Sequence, residues 1–300
     1  MNKKKLFGGL VYGTTGFFAF SIIAAVVIVV TNIVAGGWSS LTIDFLLGSP
    51  EEGMTKGGIF PAIVGTFMLV VIMSIAGVPI GTFTAIYLSE YASQKSIFAR
   101  MIRFAVNTLA GVPAIVFGLF GLGFFIQFVG TRVDGVLYND GQLHWGQPNI
   151  LWASLTMALL TLPVVIVSVE EAIKTVPREL REASLALGAT KWQTIRKVVI
   201  PNSITGILTG AILAVSRGAG EVAPILFTGA AYFLPHLPSA LSDQFMELGY
   251  HIYIMATQSP DVEATRGIQY ATTLVLLILT FALNFSAIFL RYRLRKRIIL

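Results

Sequence analysis

Residues 61–87 read PAIVGTFMLVVIMSIAGVPIGTFTAIY, twenty-seven consecutive positions without one charged side chain. A helix rises 1.5 Å per residue, so this stretch outruns the ~30 Å hydrocarbon core of a bilayer, which about 20 apolar residues suffice to cross. Comparable runs recur near 14–35, 103–129, 150–172, 204–231 and 268–290. Together they predict six transmembrane helices. A membrane-spanning barrel is excluded, because its strands are short segments of alternating character with a polar lumen face.

Composition agrees. Of 300 residues, 55% are hydrophobic and 12% charged, whereas a soluble domain carries about 25% charged residues. The chain contains no cysteine, which removes disulfides, thiolate metal sites and cysteine nucleophiles. No metal site is expected. Lys3, Lys4 and Lys5 precede an apolar run from Phe17 to Val34 that is longer than the core of a secretory signal, and Ala35-Gly36-Gly37 is a weak cleavage match. The segment is expected to be a retained span.

The cations are sorted by loop. Seventeen fall in alternate segments: Lys3, Lys4 and Lys5; Lys95, Arg100 and Arg103; Lys174, Arg178, Arg181, Lys191, Arg196 and Lys197; then Arg291, Arg293, Arg295, Lys296 and Arg297. The intervening loops hold Lys56, Arg132 and Arg266 beside the acids Asp44, Glu51, Glu52, Asp134, Asp140, Asp243, Glu247, Asp261 and Glu263. Cation-rich loops resist translocation and stay cytoplasmic, so both ends of the chain are expected in the cytoplasm. The net charge of +6 is membrane topology rather than a nucleic-acid footprint, and the basic tail can also hold anionic lipid headgroups.

Small residues mark where helices approach: Gly77 and Gly81, Gly118 and Gly121, Gly206 and Gly210. Ala-Gly-Val-Pro occurs at 76–79 and again at 110–113. Pro79, Gly111, Pro113 and Gly118 are therefore expected to kink or tighten the second and third spans, since proline removes an intrahelical hydrogen bond. Each would serve a static bundle equally well.

The fourth loop is the most densely punctuated. Thr175 can cap, Pro177 suits a first turn, Glu179 and Glu182 favour a helix amino-terminus, and Gly188 suits its close. A second short helix is expected from about Thr190. Ala183, Ala186 and Leu187 lie at i, i+3 and i+4, giving the first helix a small apolar face suited to a partner's groove.

Glu182-Ala183-Ser184, then Gly188-Ala189, then Val198-Val199-Ile200-Pro201 resembles the EAA loop of ABC importer permeases. Ser184 stands where the second alanine is usual, and Val198 and Ile200 where isoleucine and leucine are commoner. The resemblance implies a type I ABC importer permease fold, with loop 174–201 supplying the coupling helix that enters a cleft of a cytoplasmic ATPase. Residues 57–66, Tyr87 to Ala92, Leu109 to Leu119 and Arg181 to Thr194 are in turn similar to the permeases of phosphate importers, and the start at Gly57 to Ala62 looks more like the PstA type than the PstC type. That implies residues 1–60 as an amino-terminal segment with the first span and its outer loop, and 61–300 as a permease core of five spans. Implied partners are a PstC-like second permease, a PstB-like ATPase dimer and a PstS-like phosphate-binding protein.

No G-x-x-x-x-G-K-[ST] occurs in the chain, so ATP and Mg²⁺ are expected to be used by the ATPase partner and no cofactor is expected here. Arg217 and Glu221 lie at i and i+4 in the fifth run, placed to pair on one helix face. A mid-bilayer charge costs on the order of +2.5 to +3.5 kcal/mol on insertion scales and usually faces an aqueous path. The family resemblance implies a role for this pair in phosphate translocation; a purely structural ion pair is the alternative. Gly218 and Gly220 would admit close approach of backbone or substrate, and Pro224 would open the helix nearby.

An intramembrane hydrolase is the rival class. His144, His236 and His251 all fall in expected outer loops, as solvated surface residues, and no H-E-x-x-H occurs. Glu170-Glu171 flank the membrane, with Lys174 placed to pair with Glu170. An ABC permease for molybdate, sulfate or an amino acid, and a proton-driven carrier, are the remaining alternatives.

Overall fold

The computed structural model describes residues 3–93, 95–138, 141–259 and 261–298. Asp140 and the side chains of Lys3, Lys4, Lys5, Arg295, Lys296 and Arg297 lie outside the described residues. The chain is helical almost throughout. In order it forms α1 Lys3–Gly37, α2 Ile43–Leu47, β1 Pro50–Glu51, β2 Lys56–Gly57, α3 Phe60–Ile86, α4 Ile97–Leu109, α5 Ala114–Phe120, α6 Thr131–Leu137, α7 Ile150–Lys174, α8 Arg178–Ala186, α9 Lys191–Thr194, α10 Ile200–Gly218, α11 Leu248–Thr257 and α12 Val262–Ile298. Among the described residues six helical stretches are long and apolar enough to cross a membrane: Phe7–Ser40, Phe60–Tyr91, Ala114–Leu137, Ile150–Lys174, Lys191–Gly218 and Val262–Arg293.

The bundle is built on α7. It packs against α3 and α10 through small residues, as the glycine spacing leads one to expect: a β-carbon on Gly77 would touch Ala158 at 3.4 Å, one on Gly81 would strike Val165 at 2.7 Å, and one on Gly206 would collide with Ala172. Where lipid removes the hydrophobic drive between helices, such close backbone approach supplies the packing energy. One core layer gathers Val165, Val169, Ile173 and Ile195 around the ends of α3 and α7; a second gathers Met73, Phe117, Met157 and Ile225. α1 touches the rest mainly where Gly36 and Gly37 lie on Tyr270 and Ala271 of α12.

The stretch expected as the third span is made of two pieces, α4 and the membrane-crossing Ala114–Leu137. Arg103 of α4 reaches Glu170 of α7 at 2.9 Å, Gly121 lies against Thr156, and Phe125 stacks on Trp152 with ring centroids 5.6 Å apart. α4, α5 and the π-helical stretch Gly121–Gly130 that continues α5 thus run antiparallel to α7 along its length. They are interrupted at Ala110–Pro113, where Pro113 becomes the residue capping α5. The continuous helix expected over 103–129 is corrected to this broken one, because the proline ring rejects an α conformation in the preceding residue. Pro79, by contrast, sits inside α3, which continues through it, as α7 does through Pro163.

The fifth span is displaced from the expected 204–231 and runs Lys191–Gly218. The helix ends at Gly218, and residues 219–231 form consecutive turns rather than the last third of a span over 204–231. Gly218, Gly220 and Pro224 explain the ending, since glycine lowers helix propensity and proline cannot continue the backbone ladder. Gly118 lies against the chain here: a β-carbon on it would sit 2.9 Å from the Pro224 carbonyl oxygen. α5, just past the interruption of the third span, therefore packs on the break of the fifth inside the bundle.

The long loops carry structure of their own. Between α2 and α3, β1 and β2 pair antiparallel, with Pro50 opposite Gly57 and Glu51 opposite Lys56. Between the fifth and sixth spans, α11 packs against α3 and α12 with Phe245, Met246, Leu248, Ile254 and Met255 buried.

Candidate functional site

α10 delivers Arg217 in its last turn, and Glu221 follows just past the helix end. Their ion pair survives the break, with Arg217 Nε 3.6 Å from Glu221 Oε1. The expectation of one helix face is corrected to a helix terminus facing an irregular segment. Both side chains are half-exposed. Gly218 behind them packs on the thioether end of Met73. Ser216, next to Arg217, donates to Asn284 Oδ1 of α12 at 2.5 Å and steadies that last turn. A guanidinium with its fork partly free can offer a tetrahedral oxyanion two donors, while the neighbouring carboxylate limits how tightly it is held.

The second site is the loop between α7 and α10. Thr175 closes α7 rather than opening the next helix, donating to the Ala172 carbonyl at 2.7 Å, and Pro177 caps α8. α8 ends as the glycine suggested. Gly188 has φ of +82°, its N–H donates to the Leu185 carbonyl at 2.9 Å and Ala189 N–H to the Ser184 carbonyl at 3.2 Å. That paired closure needs a left-handed residue at Gly188, which glycine adopts without steric cost. Thr190 and Gln193 then cap each other's backbone to start α9, a contribution of about 1 kcal/mol.

No residue of α8 is buried, and Leu187 at its end is 89% exposed. Glu182 lines an adjoining cleft of about 610 Å³ with Ser89, Glu90, Arg103, Lys174, Arg178 and Arg181. Ser184, the residue that departs from the EAA pattern, has a local use: its hydroxyl is 2.9 Å from that of Thr194, clipping α8 to α9.

What fixes the projecting helix was missed from sequence. Arg181 donates to Glu90 Oε1 from Nε at 3.1 Å and from Nη2 at 2.8 Å, and to the Ile173 and Val176 carbonyls. Glu90 stands in a wide π-helical turn, Tyr87–Tyr91, that ends the second span. Beside it Glu170 pairs with Lys174 at 3.0 Å, as its i+4 spacing indicated, and also with Arg103. The only sequence signal was that Glu90 and Arg181 both fall in stretches similar to phosphate permeases; their 91-residue separation hid the contact.

Of the other expected residues, Gly118 packs against the fifth-span break while a β-carbon on Gly111 would meet only the Thr108 carbonyl, at 3.5 Å. The histidines do not all lie at the surface. His236 is exposed and His144 stacks on Tyr138, but His251 is 2% exposed within α11. Its burial is something loop membership alone could not reveal. Among the described residues no cluster of three or more histidine and acidic side chains is placed to hold a metal ion.

The family described as binding-protein-dependent transport system inner membrane component matches residues 77–300. The probable ABC transporter permease YqgI of Bacillus subtilis strain 168 is 31% identical over 309 aligned positions, covering 98% of each chain. The phosphate transport system permease PstA of Mycobacterium leprae is 38% identical over 71% of this chain, and the match spans 66% of that protein, a little under two thirds of its length. In fold, a bacterial ABC transporter involved in the import of the polysaccharide alginate superposes with a TM-score of 0.61 at 15% identity, covering 93% of this chain and 96% of the other. Six spans, a projecting loop helix with its glycine closure, and a family match over three quarters of the sequence agree: this chain belongs to the binding-protein-dependent transport system inner membrane components, the multi-pass permease subunits of ABC transporters.

Proposed function

We propose that this permease carries phosphate inward, with both chain ends cytoplasmic and the Arg217–Glu221 pair in the translocation path. The observation that carries the reading is that pair itself, a half-exposed guanidinium and carboxylate at a helix break inside the bundle. Oxyanion chemistry suits it, and the likeness to the mycobacterial phosphate permease PstA supports phosphate among oxyanions. Orientation rests on the seventeen cations of alternate loops. Arg103, Lys174, Arg178 and Arg181 lining one cleft at one end of the bundle support it.

In this reading an outer binding protein delivers the anion, a second permease completes the path, and an ATPase pair grips α8 and its counterpart. Residues 1–60 hold the amino-terminal span and residues 61–300 the permease core. Closure of the ATPases on ATP pulls α8, which carries Arg181 and Glu90 with it and so moves the end of the second span. The path then opens on the other side. ATP-driven uptake of radiolabelled phosphate into vesicles bearing the complete transporter tests this, with molybdate, sulfate and amino acids as competitors; only arsenate-like tetrahedral anions close to phosphate should compete.

A further inference from the structure

α11 begins on a carboxyl group that, among the described residues, no cation neutralises. Glu247 is 2% exposed and accepts the Tyr250 N–H at 2.6 Å; the adjacent Leu248 N–H donates to Thr66 Oγ1 at 2.9 Å. One helical turn on, His251 is buried to the same degree, and its Nδ1 has no partner among the described residues. The start of α11 adjoins the fifth-span break. A β-carbon on Gly249 would lie 2.8 Å from Val222 and 3.1 Å from Glu247 Oε2, and Val222 follows Glu221 in the chain.

Both groups are almost wholly shielded from solvent. α3 contributes Thr66, the segment after α10 contributes Val222 with Glu221 beyond it, and α11 contributes Tyr250, whose titratable neighbours are Tyr253 and Tyr232. On α12 the charged groups Glu263 and Arg266 pair with each other at 3.3 Å, and the Tyr270 ring lies on Gly36. Burial pushes Glu247 up to about 7 against the pull of the Gly249 and Tyr250 amides and Thr66. Burial alone pushes His251 down to about 4. Burial penalises the charged form of either group.

We infer that Glu247 and His251 form a latch of two opposed titrating groups, holding α11 against the Arg217–Glu221 break while both are neutral and releasing it when water enters and they charge. The inference rests on reading that break as the path. On release Glu247 gives its proton to water and His251 takes one from it. The signs oppose. Because the carboxyl is raised from 4.5 to about 7, its hold weakens as pH rises through that interval. Because the imidazole is lowered from 6.5 to about 4, its hold weakens as pH falls through the same region. Together they level the latch against pH, and removing one exposes the slope of the other.

The chain lacks cysteine, so Leu248→Cys at a fully buried position reports release, and Tyr253→Cys at a 41% exposed one serves as reference. Labelling by a membrane-impermeant maleimide is measured on the complete transporter across about pH 5 to 8, the range in which histidine charge is decided. The ratio of the two rates is expected to vary less than about threefold in the parent. With Glu247→Gln it should rise at least about tenfold toward acid, and with His251→Phe at least about tenfold toward alkali, since one pKa unit is tenfold. Glu247→Asp keeps a titrating group and should restore the level profile, separating the latch from misfolding. Flat profiles in all variants, or slopes of the same sign, would overturn the latch. Labelling needs no substrate, so slopes as expected alongside normal transport by Arg217→Gln would leave the latch standing and remove only the path.

Discussion

Arg181 and Glu90, 91 residues apart, are joined by two hydrogen bonds to one carboxylate oxygen, at 3.1 and 2.8 Å. The contact ties α8 to the end of the second span. Both side chains are largely buried, 19% and 11% exposed, so the pair is shielded from solvent and fixed on its remaining side by backbone carbonyls. A helix that only touched its ATPase could slip against the bundle; one anchored this way transmits displacement.

Substituting Glu90→Gln should therefore separate ATP hydrolysis from transport. Removing one partner of a buried hydrogen-bonded charge pair costs about 2 kcal/mol or more, which is enough to loosen α8 without unfolding six spans. ATPase activity of the complete transporter should persist while phosphate uptake per ATP falls at least about tenfold. The reversed pair Glu90→Arg with Arg181→Glu should recover part of it; equal uptake by all variants would show the anchor to be idle.

Gly188 gives a conformational test free of steric ambiguity. A β-carbon there meets nothing within 4 Å, yet φ is +82°, so any penalty comes from the left-handed backbone, about 1 kcal/mol or more for an ordinary side chain. Gly188→Asn should retain most uptake, because asparagine tolerates this region. Gly188→Val should lose it, and Gly188→Asp should uncouple the ATPase by adding charge to a docking face. Co-purification of the ATPase with each variant and uptake measured side by side decide the matter.

Glu221 is expected to govern release. Without it the guanidinium of Arg217 holds the anion unopposed, worth about 1.5 to 3 kcal/mol for a charged hydrogen bond. Glu221→Gln should lower both KM and maximal uptake, whereas a structural ion pair would lower uptake with KM unchanged. Steady-state uptake at graded phosphate concentrations distinguishes the two.

Packing makes a further prediction. Gly206→Leu should separate α10 from Ala172 of α7 and lower the melting temperature of the purified protein in detergent, while Gly8→Ala, with open space around it, should leave it unchanged.

The sequence made the spans legible because an uninterrupted apolar run has few other uses, and it made α8 legible because Pro177, Glu179 and Gly188 each have a local backbone reason for their positions. It concealed what depends on distant chain segments. Hydropathy carried the third and fifth spans across Gly111–Pro113 and past Gly218, since it registers the solvent a residue prefers and not whether its backbone can stay helical. The Glu90–Arg181 anchor and the burial of Glu247 and His251 lie between residues whose nearness only the folded bundle creates.

The central claim is that Arg217 binds the transported anion at the break of the fifth span. Radiolabelled phosphate uptake, driven by ATP in vesicles with equal amounts of inserted transporter, compares the parent with Arg217→Gln. The account predicts that the variant inserts, assembles with its ATPase and transports essentially no phosphate; uptake at the parent rate would contradict it.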